Sequence, residues 1–232
     1  MKLSIIIPTH DEGKRIASTL AKLSARPEAK RGDWEIIVVD DGRDSTAAKA
    51  RRFPGVRVFH HPKRLGKGGA VMEGIRKARA PAVLMYDADA ATPPSEIPKL
   101  LKALESADVA IGCRYCAGSR AEMPGVRRII GKAFNLAVRL LFLLPFKDTQ
   151  CGFKAAKRAK ILPLLDKFIE KHLVWDVEFL WLAKKKGLRV VQVPVRWKHV
   201  AGGPVASGGA AGVARTAWRM LSALVHLRLA RL

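Results

Sequence analysis

Short apolar runs alternate along this chain with longer stretches in which apolar positions recur every three or four residues. Residues 3–7, 35–39, 56–59, 82–86, 109–112 and 189–193 have the length and composition of buried strands. Helical spacing between them predicts helices over 45–52, 68–78, 94–105 and 177–186. A first helix is expected to begin near Asp11 and Glu12, since acidic side chains favour a helix N-terminus and Ile16, Leu20 and Leu23 follow on one face. Strand and helix in alternation specify an α/β fold with a mostly parallel sheet. The opening run of isoleucines reads as the first strand of that sheet rather than as a leader, because its apolar stretch is short and lacks a small-residue cleavage site.

Two later segments break the pattern. Residues 133–146 are apolar on most sides, with Arg139 in their midst. Near the C-terminus, Val213, Ala217, Met220, Leu221, Leu224 and Leu227 share one helical face while Arg215, Arg219 and His226 occupy another. Both are shorter than the roughly 18 uninterrupted apolar residues of a membrane span. A basic amphipathic helix can lie at a bilayer surface with its cations near lipid phosphates, or pack on the sheet. The expectation taken forward is a peripheral protein on an anionic membrane surface, at its cytoplasmic face. The glycine- and alanine-rich stretch 202–212 is expected to be a joint, dividing the chain into a domain at 1–205 and a C-terminal helix at 206–232.

Composition narrows the partners. The chain has 232 residues, 49% of them hydrophobic, which suits one such domain. Forty-three Lys and Arg against twenty Asp and Glu leave a formal charge of +23, so anionic partners are required. The basic residues are dispersed and no nucleic-acid-binding motif occurs, so no specific nucleic acid is expected. Only three cysteines are present, an odd number that argues against a disulfide framework and fits a reducing compartment. The spacing Cys113-x-x-Cys116 lacks the two further ligands of a zinc site, so both are expected to be structural or incidental.

The chemistry gathers at strand ends. Pro8-Thr9-His10-Asp11-Glu12 follows the first strand, Asp40-Asp41-Gly42 the second and Asp87-Ala88-Asp89 the fourth. In an open parallel sheet these ends face one crevice, where carboxylates can accept bonds from a nucleobase or ribose. Asp40-Asp41-Gly42 alone could equally be a turn capping a helix. Lys63-Arg64-Leu65-Gly66-Lys67-Gly68-Gly69-Ala70 combines close backbone approach with cations suited to a diphosphate, but lacks the spacing of a P-loop. Two aspartates one residue apart can share a hard divalent cation and leave coordination positions open for phosphate oxygens.

Together with Gly112-x-Arg114-Tyr115, the run Asp148–Lys154 and Trp175-Asp176-Val177-Glu178, these motifs in this order resemble glycosyltransferase family 2 over roughly residues 1–200. Within that family the chain is most similar to dolichyl-phosphate β-glucosyltransferases, with dolichyl-phosphate mannose synthases as near relatives. The resemblance implies a GT-A fold, a nucleotide-diphosphate sugar donor with UDP-glucose favoured over GDP-mannose, a Mg²⁺ or Mn²⁺ cofactor, and a polyprenyl or dolichyl phosphate acceptor. By position it implies that Pro8, Glu12 and Asp40, with the adjacent Asp41, contact the nucleoside. It implies that Asp87 and Asp89 hold metal and diphosphate, with Lys67 beside them. Arg114 and Arg127 would hold the acceptor phosphate, and Asp148 would line the acceptor loop. Mannose synthases usually carry Gln where this chain has Ala91, and His10 replaces a more usual aromatic.

Three alternatives accompany this reading. One is a family 2 enzyme extending a glycan at a sugar hydroxyl, with Asp148, Asp176 or Glu178 as base. The second is a basic nucleic-acid-binding protein. A nucleotide-sugar pyrophosphorylase or cytidylyltransferase, the third, would carry a glycine- and arginine-rich phosphate loop after the first strand, which this chain lacks.

Overall fold

A computed structural model describes residues 1–172, 174–200 and 209–231. The N-terminal half runs β1 (Leu3–Thr9), α1 (Ile16–Ser24), α2 (Pro27–Lys30), β2 (Trp34–Asp40), α3 (Thr46–Ala50), β3 (Val56–His60), α4 (Gly66–Lys77), β4 (Ala82–Met85) and α5 (Ile97–Leu104). The C-terminal half runs β5 (Val109–Cys113), β6 (Arg120–Glu122), α6 (Gly125–Phe142), β7 (Lys154–Lys157), α7 (Arg158–Ile161), α8 (Trp175–Lys185), β8 (Val190–Pro194), β9 (Arg196–Lys198) and α9 (Gly209–Leu229).

Seven strands form one sheet in the order β3-β2-β1-β4-β7-β5-β8. Every pairing is parallel except those of β7, which runs antiparallel between β4 and β5. Helices cover both faces, which is why Ile6, Ile37 and Val39 belong to one apolar cluster while Ile5, Ile7, Ile36 and Val38 belong to the other. A second, two-stranded parallel ribbon pairs β6 with β9 beside the crevice.

The six expected strands form; β6, β7 and β9 were not expected. Lys154-Ala155-Ala156-Lys157 has neither β-branched nor aromatic side chains, and only its position between two strands makes it β7. The first helix begins at Ile16 rather than near Asp11, because Asp11 adopts a left-handed conformation (φ 56°) and the Glu12 carbonyl then accepts the N–H groups of Arg15 and Ile16.

Three expectations are corrected. The apolar segment at 133–146 is not one helical surface: α6 starts at Gly125, ends at Phe142, and Leu143 turns left-handed (φ 52°). Leu144 and Phe146 then return to the core. On α9, Leu224 and Leu227 lie in the same core cluster as Val138 and Phe142 of α6, and the Arg228 Nε–H donates to the Leu141 carbonyl (2.9 Å). That face of the helix is therefore packed, leaving Trp218, Leu221, Val225 and Leu229 exposed on another. Cys113 and Cys116 form a disulfide, their Cα atoms 5.6 Å apart across the turn that ends β5, and only Cys151 stays free. An odd cysteine count could not reveal that turn. No described helix is long and apolar enough to cross a membrane. Most of the joint expected at 202–212, with the domain boundary drawn there, lies outside the described residues, and 209–212 already belong to α9.

Candidate active site

Parallel register sets Thr9, Asp40 and His60 side by side at the carboxyl ends of β1, β2 and β3. Asp40 is fully buried; its carboxylate accepts the Thr9 hydroxyl (2.8 Å) and meets His60 Nδ1 (2.8 Å). Asp41 points the other way, accepting the N–H groups of Leu65 (2.7 Å) and Gly66 (2.8 Å) at the start of α4 and contacting His10 Nδ1 (2.9 Å). The glycine loop is thereby tied to the end of β2. Gly66 has φ +76° and a Cβ there would sit 2.4 Å from the Lys171 carbonyl, so no other residue fits. Pro8 is half-buried on β1, and Glu12 is bridged by Arg15 (2.6 Å).

Beyond β4 the chain turns tightly through Asp87-Ala88-Asp89-Ala90, with Ala90 left-handed (φ 50°). The turn is held from outside and within. Thr19 donates its hydroxyl to the Ala88 carbonyl (2.6 Å), and the Ala91 N–H donates to Asp89 Oδ1 (3.0 Å). Gly152 lies flush against the Asp87 carboxylate, where a Cβ would come within 2.1 Å of an oxygen. Lys67 reaches Asp87 Oδ1 at 2.7 Å. Behind them, fully buried Lys154 pairs with buried Asp176 and also donates to the Cys151 carbonyl.

Charge is unevenly shared in this cluster. Burial opposes ionisation of Asp87, but Lys67, Lys154 and Arg114 outweigh it and hold its pKa below the ordinary value. Asp89 goes the other way, raised by burial and by the Asp87 charge. Burial raises Glu12 as well, against the pull of Arg15, and Asp89 and Asp87 add to the rise. Asp89 has no ion-pair partner among the described residues, which fits a carboxylate awaiting a cation. No group of three His, Cys, Asp or Glu side chains suited to a metal forms among the described residues.

Across the crevice, Arg114 is closed onto Asp148 by two parallel bonds, Nε to Oδ2 and Nη2 to Oδ1, each 2.8 Å. Its guanidinium also lies over the rings of Trp197 (5.4 Å) and Tyr115 (5.5 Å). Arg127, on α6, lies over the same Trp197 ring (5.6 Å) and contacts His199 Nδ1 (3.0 Å), with no carboxylate partner among the described residues. Burial and the neighbouring Arg114 charge push its pKa down. The β6–β9 ribbon assembles this corner: the His199 N–H donates to the Glu122 carbonyl (2.9 Å) and the Lys198 N–H to the Ala91 carbonyl (2.8 Å), beside the aspartate turn.

Glu12, Asp87, Asp89 and Lys67 thus lie within electrostatic reach of one another, Arg114 acts on Asp87 and Asp89 acts on Arg127, while Asp148 is buried behind Arg114. Trp197 and His199 escaped the sequence reading, although the run Trp197-Lys198-His199 carries a signal, an aromatic and a histidine next to a glycine-rich stretch; Lys154 closes the Asp148–Lys154 motif, but its burial against Asp176 was not foreseen. Asp148, Asp176 and Glu178, the candidate bases, are all buried and ion-paired, with Arg114, Lys154 and Arg231 respectively.

A mostly parallel sheet with acidic side chains at the ends of its first, second and fourth strands, and an Asp-x-Asp turn after the fourth, is the architecture of the GT-A glycosyltransferases. Comparison with known proteins agrees. The family model described as glycosyl transferase family 2 matches residues 4–158, and the chain belongs to that family. It is 32% identical over 85% of its length to the dolichyl-phosphate beta-glucosyltransferase ALG5C of Trichomonas vaginalis, of which it spans 64%. With the dolichyl-phosphate beta-glucosyltransferase of Saccharomyces cerevisiae it shares 30% identity over 99% of its own length and 75% of that protein. Its fold superposes, with TM-score 0.70 and 20% identity, on glucosyl-3-phosphoglycerate synthase from Mycobacterium tuberculosis in complex with Mg²⁺ and UDP, covering 96% of this chain and 79% of that one.

Proposed function

We propose that the protein transfers a hexose from a nucleotide-diphosphate sugar, UDP-glucose before GDP-mannose, to a polyprenyl phosphate at a membrane surface. The observation that carries this reading is the state of the candidate bases. A sugar hydroxyl must lose a proton as it attacks, which calls for a free carboxylate or histidine within reach. Asp148, Asp176 and Glu178 are each committed to a cation, Asp89 is assigned to the metal, and His199 Nδ1 already accepts from Arg127. A phosphate monoester is already anionic near neutral pH and asks the site for orientation and positive charge instead. Arg127 offers that charge, unpaired by any described acid, over the Trp197 ring. Arg114 adds a second cation whose partner, Asp148, fixes its plane. The names of the relatives, dolichyl-phosphate beta-glucosyltransferases, support the same acceptor class and a glucosyl donor.

On the donor side, Asp87 and Asp89 would hold Mg²⁺ or Mn²⁺, the pair supplying hard oxygen ligands. The cation would supply Lewis-acid stabilisation of the departing diphosphate. Lys67 adds a fixed positive charge beside Asp87, and Glu12 and the row at Asp40 line the nucleoside end. The solved structure of the mycobacterial synthase holds Mg²⁺ together with UDP, which supports this division of labour.

The membrane surface would meet the exposed apolar residues of α6 (Val126, Ile129, Leu136, Leu140) with Leu143 at its end, and those of α9 (Trp218, Leu221, Val225, Leu229). Cations interleave with them, Arg128, Lys132 and Arg139 on α6 and Arg215 and Arg219 on α9. Replacing Trp218 and Leu221 with Asp should release the protein from anionic vesicles while sparing transfer to a short, soluble prenyl phosphate. Retention on the vesicles would withdraw this surface. Transfer is tested by offering each common nucleotide-sugar with a polyprenyl phosphate and Mg²⁺ or Mn²⁺, then identifying the lipid product by mass spectrometry. A product on a sugar hydroxyl, with none on the lipid phosphate, would replace this reading.

A further inference from the structure

Where the last turns of α6 and α9 meet the middle of α8, a cavity of about 280 Å³ is lined by Leu141, Phe142, Leu143, Trp181, Arg228 and Arg231. None of the six belongs to the donor or acceptor groups placed above.

Cations outnumber acids at this corner. Arg231 lies over the Trp181 ring (5.4 Å) and pairs with Glu178, donating Nε–H to Oε1 (3.0 Å). Glu178 is fully buried, and it is the only acid paired with a cation of this corner among the described residues. Lys185 stands over the same ring (4.9 Å), and Lys184 donates to the Leu143 carbonyl (2.6 Å). Arg228 gives its Nε–H to the Leu141 carbonyl (2.9 Å), which fixes the guanidinium at the cavity, and its terminal nitrogens have no protein acceptor among the described residues. The carbonyls met by Lys184 and Arg228 end α6 and carry the negative end of its dipole, about half a unit charge. Four cations against one carboxylate and that half charge leave the corner positive, and an anion bound among them relieves their repulsion.

The rim selects the kind of anion. Leu143 lines the cavity yet stays 75% exposed, and Leu140 and Leu229, next in the chain to Leu141 and Arg228, are 69% and 63% exposed. A free phosphate or a nucleotide gains nothing from such a border, whereas a lipid brings a phosphate and apolar chains together. We propose that this cavity is a headgroup site for an anionic phospholipid. Arg228 donates to the phosphate oxygens, Arg231 and Lys185 add charge at the Trp181 ring, and the three leucines meet the first methylenes of the chains. This rests on the membrane-surface reading above and adds to it a bounded site with a preferred lipid, separate from the transfer site at Arg114 and Arg127.

Calorimetry with a short-chain phosphatidylglycerol, kept below its micelle concentration, tests the site without the diffuse attraction of a bilayer. The full chain should bind it, and should bind the matching phosphatidylcholine about tenfold more weakly. Arg228→Gln should weaken phosphatidylglycerol about tenfold, and Lys185→Gln, which alters only an exposed side chain, about fivefold. Arg139→Gln removes the same charge from an exposed position of α6 outside the cavity and should change nothing. Equal losses in Arg139→Gln and in the two cavity variants, or displacement of the lipid by inorganic phosphate, would overturn the site. Transfer to a short, soluble prenyl phosphate should be unchanged in all three variants; its loss in Lys185→Gln would mean that the cavity holds the acceptor instead. Sedimentation with vesicles containing phosphatidylglycerol separates this proposal from the reading beneath it. A wild type that sediments but ignores the monomeric lipid overturns the site alone, and one that does not sediment overturns the membrane surface and the site with it.

Discussion

At the ends of β1 and β4 the carboxylates outnumber their cationic partners, whereas around Trp197 the cations outnumber their acids. On the first side Lys67 serves Asp87 and Arg15 serves Glu12, and Asp89 is left over. On the second, Asp148 serves Arg114, and Arg127 is left over. The unpaired charge on each side has the sign opposite to that of the group the site would receive: a divalent cation beside Asp89, an anionic phosphate beside Arg127. Beneath both, Lys154–Asp176 is balanced and sealed. Balanced pairs set the frame, and unbalanced charges mark where a ligand completes it.

The contrast can be broken at several points. The largest effect is expected at the sealed pair: Lys154→Met should cost about 3–5 kcal/mol of stability, because it strands a buried carboxylate, and chemical denaturation would read the loss. A cost below 1 kcal/mol would mean the pair is dispensable. Asp89→Ala should leave stability near that of the wild type but lower kcat/KM about a hundredfold, or roughly 2.7 kcal/mol of transition-state stabilisation. Unimpaired turnover, in this variant or in excess chelator, would remove the metal from the account. Arg127→Ala should raise the KM for the lipid phosphate about tenfold, near 1.4 kcal/mol, with donor KM unchanged. An equal effect on both substrates would dissolve the division into two sides.

The smallest effect lies in the pH dependence of stability. Asp89 has its folded-state pKa raised above the ordinary 3.8, so folding favours its protonated form. Its contribution is therefore fully present below that value and is lost as pH rises through the folded pKa. Asp89→Asn should consequently be the more stable protein at neutral pH in metal-free buffer, with the advantage vanishing on acidification. Parallel thermal melts would show it, and added Mn²⁺ should raise the wild-type Tm more than that of the variant.

Legibility in the sequence followed the reach of each interaction. β1 and β2 announce themselves because strands covered on both faces need nearly continuous apolar residues, and Leu3–Thr9 and Trp34–Asp40 supply them. The Asp87-Ala88-Asp89 turn is legible because neighbours in sequence are neighbours in space. β7 is not, since its conformation comes from strands far off in the chain. The amphipathic pattern of α9 was visible, yet periodicity could not say which apolar stripe meets Val138 and Phe142 and which stays outside.

By itself the sequence determined an α/β sheet, the acidic strand ends and their order, and the excess of positive charge, all properties written in local patterns or simple sums. Only the tertiary structure decided which charges are spent. It closed Asp148 on Arg114, Asp176 on Lys154 and Asp41 on the glycine loop, and it left Asp89 and Arg127 without an ion-pair partner among the described residues. Pairing depends on distances between residues that the chain brings together from 22 to 34 positions apart, and a list of residue types carries no such distances.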